Sequence, residues 1–225
     1  VDDIVFATRL NVQADAKVSK KRGRPRLFSH QRALDEAMKL FWEWGYEGTS
    51  LSDLIAVMHV GPSTFYKLFG NKERLFEKAI RHYTSGPIGR RLKNILSGQN
   101  DTRTTFQLLL EAAAFECTNP DFPTGCMISL AGTHLSPDLQ SIRNTMMKLR
   151  ANFETMLEDR LQRGIQMGDL ASDTNVLDLA SFFGTVIYGI AVQARDGKSR
   201  QHLLKLGKLA MQAWPEYSNN HSETA

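Results

Sequence analysis

An all-α fold is predicted for this 225-residue chain: an N-terminal unit of three to four helices with a helix-turn-helix, then a larger helical bundle. Three observations carry that expectation. From Ser29 onward apolar residues recur at spacings of three and four; caps and glycine stops punctuate the pattern; and no run of strands alternates with a period of two. With 42% apolar residues, a chain of this length buries a core without covalent staples. Two cysteines make no disulfide framework and fit a reducing compartment. No basic stretch leads into an apolar run of signal-peptide length. The longest uncharged, mostly apolar run, Leu179 to Ala194, is short for a membrane span. The expectation is a soluble, cytoplasmic protein with no membrane partner.

Residues 1–28 show no helical period and are expected to form a basic arm. Ser29 can cap a helix with apolar positions Leu34, Met38, Phe41 and Trp44, stopped by Gly45 and Gly48. Ser50, with Asp53 three residues on, has the capping-box arrangement and starts a short helix to about Met58. After His59-Val60-Gly61, Pro62 suits the first position of another short helix, to Leu68. Asn71 caps a helix from Lys72 to Tyr83, and Gly86, Pro87 and Gly89 mark the domain boundary. Further helices are expected at 88–96, 102–117 (before Asn119-Pro120), 126–134, from Ser136-Pro137 to Met167, 175–195 and 199–214. The domains are therefore 1–28, 29–84 and 85–216, with a tail at 217–225.

Charge is uneven along the chain. Residues 17–93 hold sixteen Lys and Arg against seven Asp and Glu, whereas residues 94–225 hold eleven against fourteen. A basic block beside a mildly acidic remainder suits a polyanionic partner for one part only, although a solvated basic face has the same composition. The segment Leu51 to Leu68 favours the polyanionic partner, although a tight helical hairpin inside a bundle has the same outline. Two short helices joined by a three-residue turn form a helix-turn-helix, whose second helix is sized for the major groove. Pro62, Ser63, Thr64, Tyr66 and Lys67 give that helix hydroxyls and a cation, while Phe65, Leu68 and Phe69 face a core. Hydroxyls, ammonium groups and helix N-termini are the usual partners of phosphate oxygens.

The run from Gly45 to Ser50, the Ile55-containing helix and the run Ser63-Thr64-Phe65-Tyr66-Lys67-Leu68-Phe69-Gly70-Asn71-Lys72-Glu73-Arg74-Leu75-Phe76 resemble the DNA-binding region of the TetR/AcrR transcriptional regulators. Farther on, Gly189 to Gly197 resembles the end of the dimer helix in one branch of that family. The resemblance implies a ligand-responsive, homodimeric repressor without enzymatic activity, bound to a palindromic double-stranded operator and released by a small, mostly apolar effector. It implies phosphate contacts for Thr49, Tyr66 and Lys72, and places Pro62, Ser63, Thr64 and Lys67 over base edges or nearby phosphates. Two departures stand out. The family usually has glycine in the turn where this chain has His59, a residue type that visits left-handed conformations. It usually has histidine where this chain has Leu68.

Arg22-Gly23-Arg24-Pro25-Arg26 resembles an AT-hook core, which would set Arg24 and Arg26 in the minor groove. A basic tail that only raises non-specific affinity fits the same residues.

In the C-terminal half, Ser181, Gly184, Thr185, Tyr188 and Val192 share a helical face. With Leu203 and Leu206 of the last helix they are expected at a dimer interface built as a four-helix bundle. Phe106, Leu110, Met127, Met146, Phe153, Phe182 and Phe183 lie on the central helices, as plain core or as the lining of an effector pocket. Cys117 and Cys126 read as buried thiols or as a redox or electrophile switch, whose ionisation Glu116 and Asp121 would oppose. The six histidines show no metal-ligand spacing, no catalytic motif occurs, and neither metal nor cofactor is expected. Two other classes stay open at this point: an all-helical small-molecule-binding protein or enzyme with an incidental basic half, and a DNA-binding protein without an effector.

Overall fold

A computed structural model describes residues 29–133 and 135–215. The expected arm, with Arg24 and Arg26, and the expected tail lie outside the described residues. Among the described residues there is no strand. Helices α1 (His30–Trp44), α2 (Leu51–Met58), α3 (Pro62–Phe69) and α4 (Lys72–Ser85) form the first unit. Helices α5 (Pro87–Ser97), α6 (Thr102–Glu116), α7 (Met127–Leu130), α8 (Gln140–Met167), α9 (Val176–Arg195) and α10 (Arg200–Ala210) form the second, closed by a 3₁₀ turn at Met211–Ala213.

Local chemistry places the starts. Ser29, Ser50, Asn71, Asp101, Asn175 and Ser199 each accept a hydrogen bond from a backbone N–H in the first turn of their helix, relieving donors that the helix itself cannot satisfy. Three segments differ from expectation. Helix α8 starts at Gln140, because Ser136 to Leu139 form a turn closed by Leu139 N–H to Ser136 C=O. Helix α7 is a single turn. On α1 the buried indole is Trp42, whereas Trp44 is 64% exposed: the inward stripe runs Leu34, Ala37, Met38, Phe41, Trp42, and Trp44 falls outside it.

Two cores result. Phe41, Trp42, Leu54, Phe65, Phe69 and Phe76 make the first, which also takes Met127 from α7 and Ile142 and Met146 from α8. Phe106, Leu110, Leu157, Phe183, Leu203 and Trp214 belong to the second. The larger unit thus pushes α7 and the start of α8 into the core of the smaller one. Buried Arg160 pins the first turn of α6 and the chain just before it, donating to Thr102 Oγ1 (2.5 Å), Thr105 Oγ1 (3.1 Å) and Asn100 C=O (2.6 Å).

Candidate nucleic-acid interface and ligand cavity

Helix α3 is held so that one side is core and the other is open. Phe65 and Phe69 are buried, while Pro62, Ser63, Thr64, Tyr66 and Lys67 are exposed, Tyr66 at 54%. Gly61 provides no side-chain cap and Pro62 holds the first position, so the first-turn N–H groups of α3 face outward beside two hydroxyls. Such an end carries partial positive charge and suits a phosphate. The turn before it depends on His59, the sole positive-φ residue other than glycine among the described residues (φ 54°, ψ 42°). At the other end Gly70 (φ 80°) lets the chain reverse into the Asn71 cap of α4, and Lys78 Nζ donates to Leu68 C=O at 3.0 Å. Both ends of this eight-residue helix are therefore fixed from outside itself.

Two of the expected phosphate contacts are placed otherwise. Thr49 is 1% exposed, and its hydroxyl donates to Gly45 C=O at 2.7 Å and approaches Leu40 C=O at 3.4 Å. Closing the end of α1 occupies that side chain, so its hydroxyl cannot reach a phosphate; neighbouring Ser50 and Ser52 are the exposed hydroxyls. Lys72 is half-buried with Nζ 4.3 Å from the centroid of the Tyr46 ring. Burial lowers its pKa, and Glu47 opposes the shift.

Between α4, α5, α6, α7, α8 and α9 lies a cavity of 380 Å³, within the size range of small-molecule sites. Its walls are mainly apolar: Ile88, Leu92, Leu109, Ala113, Leu149, Phe153, Met156 and Ile187, with Tyr83, Tyr188, Asn152 and both cysteines. Of the seven expected lining residues only Phe153 is there. Phe106, Met127, Met146 and Phe183 are fully buried in the two cores, Leu110 packs toward α10, and Phe182 is 40% exposed on the outer surface. The large side chains fill space, and the void forms where α6 offers Ala112 and Ala113 instead. That alanine run is the sequence signal passed over.

Tyr83 is buried, and its hydroxyl donates to Cys126 Sγ at 3.4 Å. Burial, then Cys126, pushes the phenol well above its ordinary range. The Cys117 thiol is pushed up by burial, then by Cys126 and Glu116, so it stays protonated near neutrality. At the cavity rim Arg91 pairs with Glu116 at 2.6 Å. Among the described residues no group of three or more His, Cys, Asp or Glu could hold a metal ion.

The outer side of α9 presents Leu177, Ser181, Thr185 and Val192 to solvent, and α10 adds Leu209. Other residues expected at a dimer interface are engaged within the chain's own fold. Gly184 is buried with Leu157 nearest, Leu203 is fully buried, and the Tyr188 hydroxyl donates to Arg150 C=O at 3.2 Å. Leu206 is half-buried. Gly184 and Leu203 lie on the inward stripes of their helices, one helical step from the open face.

The profile of bacterial regulatory proteins, tetR family, matches residues 33–79, and that of the tetracyclin repressor-like C-terminal domain matches residues 106–206. The HTH-type transcriptional repressor ComR of Escherichia coli is 34% identical over 199 residues, covering 88% of this chain and 95% of ComR. The HTH-type transcriptional repressor BdcR of the same organism is 28% identical over 198 residues, covering 88% of this chain and 94% of BdcR. Among solved structures, a cysteine mutant of the TetR family transcriptional regulator CifR, complexed with 26-bp double-strand operator DNA, superposes with a TM-score of 0.82. It shares 38% identity, over 86% of this chain and all of that one.

Proposed function

This chain belongs to the tetR family of bacterial regulatory proteins, DNA-binding transcriptional regulators rather than enzymes, and on that premise we propose a cytoplasmic, homodimeric repressor. In this reading two copies of α3 enter successive major grooves of a palindromic operator, and a small, mostly apolar molecule in the cavity releases them. The observation that carries it is the open face of α3, where Ser63, Thr64, Tyr66, Lys67 and an uncapped N-terminus stand together over a buried Phe65–Phe69 side. Thr49 contributes from behind, as a brace, and Lys72 through the N-terminus of α4 more than through its ammonium. The operator complex of CifR, the exposed apolar residues along α9 and the cavity volume support the same reading.

Genomic fragments selected by the purified protein test it. Binding of the recovered duplex is followed by fluorescence anisotropy against a scrambled duplex, and mass by light scattering. A dimer whose specific binding falls steeply with salt is expected. A monomer, or equal affinity for both duplexes, refutes the reading.

A further inference from the structure

The resemblance over Gly189–Gly197 points to a dimer helix but gives Arg195 no task. Its side chain leaves the last turn of α9 and crosses to the DNA-reading unit. Arg195 Nη2 donates to Trp42 C=O at 2.8 Å and Nη1 to Glu43 C=O at 3.0 Å, and Nη1 pairs with Glu43 Oε2 at 3.4 Å. Helix α1 has no basic residue in its last turn, so the terminal carbonyls that a helix leaves unpaired are closed by a residue from the other unit. A guanidinium fork holding two successive carbonyls fixes an angle as well as a distance, which an ammonium cannot do.

The root of the same side chain lies beside the cavity wall, at Gly125. At Gly125, held at φ 83°, an added Cβ would stand 2.9 Å from Ala191 O and 3.7 Å from Arg195 Cβ. Gly125 N–H donates to Cys117 C=O at 2.8 Å, and Gly125, Cys117 and Cys126 all line the cavity. Trp42, whose carbonyl Arg195 holds, has its indole against the rings of Tyr83 and Phe122, and Tyr83 is again a wall residue.

We propose that Arg195 is a positioning residue: its clamp on the Trp42 and Glu43 carbonyls ties the DNA-reading unit to α9 and so sets the spacing of the two reading helices. The proposal rests on the dimeric-repressor reading above. An occupant that displaces the Gly125–Cys126 wall displaces the root of Arg195 with it, and α1 follows because both carbonyls are held.

Arg195→Lys carries the test, since it keeps the charge and removes the fork, whereas Arg195→Ala also strips packing. The duplex selected by the unaltered protein is compared with versions whose half-sites are moved by one base pair, and with a single half-site. The unaltered protein is expected to prefer native spacing, and Arg195→Lys to lose about fivefold or more of that preference. Half-site affinity and dimer mass should stay unchanged. If full-site and half-site binding weaken together with the spacing preference intact, Arg195 is only a structural contact and the proposal is overturned.

Hydrogen exchange on the intact protein supplies an arm that needs no DNA. Faster exchange confined to residues 41–69 is expected in Arg195→Lys; uniform change, or none, overturns the clamp. Failure of the unaltered protein to select any duplex refutes the repressor reading, and the exchange result then still decides whether the clamp exists.

Discussion

Replacing Thr49 by Val separates two roles that one residue could hold. The shape of the side chain is kept and a methyl takes the place of the hydroxyl, removing the 2.7 Å hydrogen bond to Gly45 C=O. Leaving a part-buried acceptor without its partner costs about 1–2 kcal/mol, the lower part of the range for a fully buried one. The added apolar group returns at most about 0.8 kcal/mol. A net loss of about 0.5–1.5 kcal/mol should lower the melting temperature by roughly 1–6 °C for a protein of this size. DNA affinity, measured below the transition, should stay within about twofold, because Thr49 is 1% exposed and touches no solvent-facing partner. Its backbone N–H survives the substitution, so any main-chain contact to phosphate is retained. Thermal unfolding and anisotropy on one preparation are sufficient. A variant as stable as its parent that binds about tenfold more weakly or worse would refute the reasoning and restore the hydroxyl to the phosphate.

Other expectations follow from the same geometry. His59→Gly removes a left-handed strain of about 1 kcal/mol and should raise the urea midpoint without altering the slope; a lower midpoint would mean that the imidazole makes a contact outweighing the strain. Ala113→Phe should fill the cavity and weaken uptake of an apolar fluorescent dye about tenfold, since forcing a ligand against inserted carbon costs about 1–3 kcal/mol; unchanged uptake would place the dye elsewhere. Cys117 and Tyr83 hold raised pKa values in the fold. Their stabilisation is complete below the ordinary thiol and phenol values of 9.0 and 10.0 and is lost as pH rises above them, because the unfolded chain ionises first. Stability curves between pH 8 and 11 should therefore fall, and Cys117→Ser should shallow the drop that begins near pH 9. A parallel curve would sink that assignment.

Six of the helices were legible because their starts are chemical events within four residues: a Ser, Asn or Asp side chain meeting an N–H. The reading helix was legible for a different local reason: Gly61-Pro62 sets its first turn without a side-chain cap, and the Phe65–Phe69 pair sets its inward side. What failed required knowledge of neighbours. Thr49 resembles a phosphate ligand until the end of α1 is seen to need its hydroxyl. Gly184 and Leu203 carry the composition of an interface, yet a rotation of one residue step turns them inward, and sequence spacing does not resolve that step. The cavity was missed for a different reason. Large apolar residues were expected to line it, whereas close packing engages those residues in the cores and leaves a void beside small ones. Only the sum of five helical faces and α7 reveals it, and that sum is a tertiary quantity.

The position of α3 relative to α9 is likewise tertiary, and in the proposed dimer it is the quantity that a two-fold operator measures, with half-sites about 34 Å apart. Eight residues of helix cannot fix that distance alone, because a helix so short is marginal without packing. Here α3 is fixed to α1 and α4 through Phe65 and Phe69, and α1 is closed at its end from two directions, by Thr49 within the reading unit and by Arg195 from α9. Ser136 adds a tie by donating its N–H to Glu47 at 3.0 Å. Two of these connections also reach the cavity wall: α4 directly, through Tyr83 and Thr84, and Arg195 by way of Gly125. In the proposed repressor, ligand binding and groove spacing meet at this guanidinium as well as at α4, and loss of its fork should weaken their coupling while each unit keeps its own core.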